Sequence, residues 1–159
     1  MSDKKDILKK YICELPFIYT DIHTAGQFVC CPSWSPRNIK TDKYGQPNKD
    51  PFDETDDVMR NWTSVSAKRI RRAVYDGSYS ECDHRVCPKL SQLINVENAD
   101  IPTNFLSRDE FSKKFNIESI DDIKKFNTPP EEILFGFDRS CNLACPSCRL
   151  SLISNDRKN

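Results

Sequence analysis

Near the end of the chain, Cys141, Cys145 and Cys148 stand in a Cys-x3-Cys-x2-Cys spacing, directly after a short apolar stretch, Ile133 to Phe137, with the pattern of a strand. Thiolates this close on one loop can all reach a single small inorganic object. A closed zinc site or a fully ligated iron–sulfur cluster takes four protein ligands. A trio therefore leaves one position open, or takes a fourth ligand from elsewhere in the chain as a zinc knuckle does. The 159 residues hold eight cysteines, and only 37% of them are hydrophobic against 30% charged. So thin a core leaves part of the stabilisation to be supplied by metal centres.

Lys+Arg and Asp+Glu are both 24, so no net field favours nucleic acid or an anionic membrane, and neither is expected as a partner. The opening Met-Ser-Asp-Lys-Lys-Asp has no apolar signal core, and no run is long enough to span a bilayer. A cytoplasmic location follows as the expectation. There thiols stay reduced, and clustered cysteines imply metal before disulfides.

The pattern predicts a helix from Asp3 to Tyr11, a strand from Phe17 to His23, a turn at Gly26 and a return strand from Gln27 to Cys31. A polar loop runs over 37–52, followed by a short helix from Asp56 to Trp62. Ser64 is placed to cap a helix from Val65 to Tyr75 with Ala67, Ile70 and Val74 on one face, ended by Gly77. Its basic run, Lys68, Arg69, Arg71 and Arg72, reads as a solvated face. One or two helical turns are expected from Lys89 to Ile94. Ser107 with Glu110, and Ser119 with Asp122, start helices ending near Phe115 and Phe126. Glu131 to Phe137 is the strand that feeds the cysteine loop; without sheet neighbours of its own, it should pair with the hairpin or be poorly ordered.

The remaining cysteines suggest a second centre. The hairpin at Gly26 would bring Cys31 back towards Cys13, and the helix after Ser64 could deliver Cys82 and Cys87 to the same point. Four such thiolates suit a fully ligated cluster or a zinc ion, and soft ligands alone do not choose between the two. Cys30 then reads as a buried thiol beside the centre, and His84 as an exposed polar loop residue.

The run Asp138-Arg-Ser-Cys-Asn-Leu-Ala-Cys-Pro-Ser-Cys-Arg149, with the strand before it, resembles the cluster loop of the radical SAM enzymes. The resemblance implies that Cys141, Cys145 and Cys148 bind three irons of a 4Fe-4S cluster. The fourth iron would hold S-adenosylmethionine for reductive cleavage to a 5′-deoxyadenosyl radical. Ser147 stands where the family often has an aromatic residue near the adenine. Residues 11–90 are similar to the SPASM and twitch modules, which carry auxiliary clusters. The matching features are Cys13-x12-Gly26-x4-Cys31, the Cys-Cys-Pro-x-Trp of Cys30 to Trp34, Trp62 before a basic helix, the Asp-Gly-x-Tyr-x-x-Cys of Asp76 to Cys82, and Cys87-Pro88. That likeness implies an auxiliary 4Fe-4S cluster on Cys13, Cys31, Cys82 and Cys87, which relays electrons or anchors substrate, although in most members the module follows the barrel and does not precede it. It also implies a reductant protein and a peptide or protein substrate as partners.

The expected fold class is α+β. A small cysteine-rich SPASM-like module of a β-hairpin plus helices (1–95) leads through a helical connector (96–130) to an incomplete (β/α) radical SAM segment (131–159). A complete barrel takes roughly 200 residues and only eleven follow Cys148, so the expectation is a fragment of a larger radical SAM protein with little or no SAM cleavage by itself. The other reading is a non-catalytic iron–sulfur or zinc interaction module.

Overall fold

The computed structural model describes residues 3–23, 26–30, 58–95 and 101–136, which form a mixed α+β structure. Helix α1 (Asp3–Lys10) runs into β1 (Tyr11–Cys13), and α2 (Leu15–Ile18) into β2 (Tyr19–His23) and β3 (Gly26–Phe28). Three helices follow, α3 (Val58–Trp62), α4 (Val65–Tyr75) and α5 (Pro88–Ile94); then come β4 (Phe105–Ser107), α6 (Arg108–Phe115), α7 (Ile120–Lys125) and β5 (Glu132–Gly136).

Local chemistry accounts for most boundaries. Ser64 accepts the Ala67 N–H at the start of α4, and Ser107 and Ser119 form reciprocal capping boxes with Glu110 and Asp122. Gly77 takes φ +76° just past α4, where a Cβ would lie 3.0 Å from the Leu8 carbonyl oxygen and the Lys9 Cα. The expected strand from Phe17 begins two residues late. Pro16 sits in the first turn of α2, where its missing N–H is no loss, and Glu14 accepts the Phe17 N–H at 2.8 Å. Phe17 and Ile18 therefore belong to one helical turn.

Two small sheets hold the chain. In the first, β1 pairs antiparallel with β4, Ile12 opposite Leu106. The second has the order β3-β2-β5: a β2–β3 hairpin, and β5 lying parallel to β2 with Tyr19 opposite Glu132 and Ile22 opposite Phe135. The strand that feeds the cysteine loop thus pairs with the hairpin, one of the two arrangements its isolation allowed. Ile133, Leu134 and Phe135 of β5 are exposed.

The core gathers Phe17 with Phe111, Phe126 and Phe115, at ring separations of 4.8, 5.4 and 5.5 Å. Phe105, Ile117 and Ile123 join the same cluster as Ile12, Trp62, Ile70 and Leu93. Phe105, Phe111, Ile117, Ile123 and Phe126, all from the stretch read as a connector, thus contribute to the packed core. Arg71 corrects the reading of the basic run: its side chain is fully buried, while Arg72 stays exposed and Arg69 pairs with Glu81 at 3.5 Å. Among the described residues, no helix is long and apolar enough to cross a membrane.

Candidate functional site

Four cysteines from three separated stretches border one narrow cavity of about 30 Å³. Cys13 ends β1 and is buried, Cys30 lies two residues past β3, Cys82 sits in the turn after α4, and Cys87 caps α5. Leu15, Ile70, Val74, Leu90 and Phe105 complete an almost wholly apolar wall. All four cysteines are present as thiols. Cys87 Sγ accepts the Leu90 N–H at 3.4 Å, which fixes this sulfur at the entrance to α5.

Electrostatics here resist ionisation. Burial pushes the Cys13 thiol well above its usual range, and the neighbouring Cys30, Cys82 and Cys87 push it the same way. Four thiolates in so dry a space would repel one another. A bound cation removes that repulsion by replacing the protons, and thiolate affinity for soft metals follows.

In kind the donor set suits a metal centre, but the side chains are not placed to close on one. Among the described residues, no three His, Cys, Asp or Glu side chains form a group that could hold a metal ion as they stand. The thiols share a cavity wall without converging on one point, as a single zinc ion with sulfurs at about 2.3 Å would require. A cubane meets its cysteines at iron corners displaced from the centre, so it tolerates wider sulfurs. The present free volume, near that of one water-sized sphere, is closer to a single ion. Either occupant needs cysteine side chains to re-aim.

Of the sequence-derived ligands, Cys13, Cys82 and Cys87 come together. The fourth thiol at this cavity is Cys30, the residue read as a bystander, while Cys31, Cys141, Cys145 and Cys148 lie outside the described residues. His84 is exposed, with Nε2 3.1 Å from the Tyr79 carbonyl oxygen.

Tyr79 had been given no role, though it stands within the Asp76 to Cys82 motif. Its ring lines the cavity, and its hydroxyl accepts the Cys13 N–H at 3.2 Å and donates to the Tyr11 carbonyl at 2.9 Å. Burial, then the nearby Cys13, raises its phenol above the ordinary tyrosine range. Gly77 was legible as a helix stop, but nothing in the sequence marks Tyr79 as the residue that follows it into a left-handed conformation, at φ +48°.

The fold and site thus define an α+β protein with a narrow, apolar cavity bordered by four thiols. A scan of protein-family models finds no match to this chain, nor do searches of curated proteins and of solved structures. The likeness to radical SAM and SPASM proteins therefore rests on the motif residues themselves.

Proposed function

We propose that this chain is an iron–sulfur protein of the radical SAM type. Its auxiliary 4Fe-4S cluster is held by Cys13, Cys30, Cys82 and Cys87, and its SAM-binding cluster by Cys141, Cys145 and Cys148. The observation that carries the first half is the meeting of four thiols, from β1, the end of the hairpin and the turn before α5, at one apolar cavity. Chance seldom brings four soft donors to one space, one of them buried and three half-buried, in a chain with so many surface positions to spare. The second half rests on the sequence of the late trio and on the strand β5 that leads to it. When bound, the late cluster would supply reductive cleavage of S-adenosylmethionine. The chain's own part is to hold the sulfurs and keep water from the auxiliary centre.

Anaerobic reconstitution with ferrous iron and sulfide, followed by metal and sulfide analysis, tests this directly. Broad visible absorbance with two clusters per chain is the expected result. Cys30→Ser should remove the auxiliary cluster and Cys31→Ser should leave it, while Cys141→Ser should remove only the other. Formation of 5′-deoxyadenosine on adding SAM and a reductant distinguishes radical chemistry from cluster binding alone. One observation, the small free volume, favours a second reading in which a single zinc ion occupies the four-thiol site. Zinc as the sole metal, with no sulfide, would establish that reading and reject the auxiliary cluster.

A further inference from the structure

We infer that Tyr79 is the positioning residue of the four-thiol site, holding Cys13 and Cys82 in register across the cavity; this rests on the metal-centre reading above. One residue touches both halves of the donor set. Through its hydroxyl it takes the Cys13 N–H at 3.2 Å and anchors itself on the Tyr11 carbonyl at 2.9 Å, so both ends of the β1 segment that presents Cys13 are tied to it. Through its carbonyl it accepts the Cys82 N–H at 2.9 Å. Its own N–H returns to the Ala73 carbonyl at 2.8 Å, which fastens the whole turn to α4.

The backbone conformation supports a purpose beyond packing. An aromatic residue at φ +48° sits in a region that side chains with a Cβ rarely enter, and such strain persists only where the surroundings over-determine it. Here the strain turns the ring inward, so that it is 1% exposed and lines the cavity beside Phe105, 6.4 Å away. A phenylalanine would fill the same space. Only the hydroxyl reaches Cys13, more than sixty residues away in sequence. That bond holds the Cys13 peptide, and with it the Cα–Cβ direction from which the thiol is presented, in place beside the cavity.

The test uses the full chain carrying Cys141→Ser, Cys145→Ser and Cys148→Ser, so that one site remains, with cobalt(II) as the probe. The parent is expected to bind one cobalt with a sulfur-to-cobalt charge-transfer band. Tyr79→Phe should shift that band and speed cobalt release about fivefold, the worth of one buried hydrogen bond. Adding Cys13→Ser, which keeps the amide bonded to Tyr79 but removes the sulfur it positions, should abolish any further effect of Tyr79→Phe on the cobalt site. Phe105→Leu, which loosens ring packing but keeps the hydroxyl, should leave the band in place. An unchanged band and release rate in Tyr79→Phe overturns the inference, as does an equal shift in Phe105→Leu. Absence of any cobalt–thiolate band in the parent overturns the metal reading and this inference with it. Hydrogen exchange on the parent gives a check that needs no variant to fold: the Cys13 amide should be protected with and without cobalt, and loss of protection on loading overturns the assignment.

Discussion

Arg71 offers the sharpest test of what holds the fold together. Its Nε donates to the Pro16 carbonyl at 2.8 Å and its Nη1 to the Trp62 carbonyl at 2.7 Å. These carbonyls belong to the one-turn helix α2 and to the last residue of α3, elements too short to satisfy them internally. The guanidinium also lies 4.1 Å from the Trp62 ring and 4.9 Å from that of Phe126. Its Nη2 has no hydrogen-bond partner among the described residues, so the ring faces supply that share of its stabilisation. One side chain thus fastens α2, α3 and α4 together.

Truncation to alanine removes two charge-assisted bonds worth roughly 1.5–3 kcal/mol each and a cation–π contact worth up to about 2 kcal/mol, and it leaves a cavity. We expect Arg71→Ala to lose about 5 kcal/mol, a fall of about 10–20 °C in Tm for a chain of this size. Arg71→Met restores the volume but leaves both carbonyls unpaired, and should lose about 3 kcal/mol. Arg71→Lys can satisfy one carbonyl and should fall between the parent and Arg71→Met. Urea unfolding followed by circular dichroism measures all three. Burial lowers the Arg71 pKa to about 9, the desolvation cost that the two carbonyls and the ring faces must offset. If Arg71→Met is as stable as the parent, burying the charge cancels its bonds and the argument fails.

Other perturbations follow from the helix ends and the exposed strand. Glu110 and Asp122 are held below the usual carboxylate range, first by their side-chain bonds with Ser107 and Ser119. Their contribution is present above the unfolded carboxylate value and lost as pH falls through the lower folded one, so Glu110→Gln should flatten the acid limb of a stability–pH curve below about pH 4. Gly77→Ala meets both a left-handed φ and the backbone of α1 at 3.0 Å; a loss of about 1–3 kcal/mol in urea unfolding is expected, and a neutral result would refute the close approach. Leu134→Thr, on the exposed β5, should leave stability within about 0.5 kcal/mol and reduce light scattering at high concentration.

What the sequence disclosed, and what it hid, follow different physics. Helix α4 was legible to the residue because Ser64, the apolar face of Ala67, Ile70 and Val74, and Gly77 act within one turn of the positions they specify. Both capping boxes were legible for the same reason. The pairing of β1 with β4 was not, because three-residue strands have no period to detect and their partners lie some ninety residues apart. Arg71 was hidden by its neighbours. Lys68, Arg69 and Arg72 make the local pattern read as solvated, and only the aromatic rings of Trp62, Phe17 and Phe126 explain why one cation of four turns inward. Cys30 meets the cavity from a bend two residues past β3, where strand alternation no longer applies, and Cys31 lies outside the described residues, so the Cys30→Ser and Cys31→Ser pair decides between them.

The position of the cavity gives metal removal a definite consequence. Cys13 belongs to the β1–β4 sheet, Cys30 follows the hairpin of the other sheet, and Cys82 and Cys87 bracket the turn between α4 and α5. A centre bound there would cross-link both sheets to the helices at one point, and its binding free energy would add directly to folding. At a thousandfold excess over its dissociation constant that is about 4 kcal/mol, against a total for such domains of roughly 5–15 kcal/mol. Stripping the metal with a chelator should therefore lower the unfolding temperature by about 10 °C while much of the secondary structure persists, since the aromatic cluster around Phe17 does not depend on the thiols. An unfolding temperature that is the same with and without metal would mean the four cysteines share a wall and nothing more.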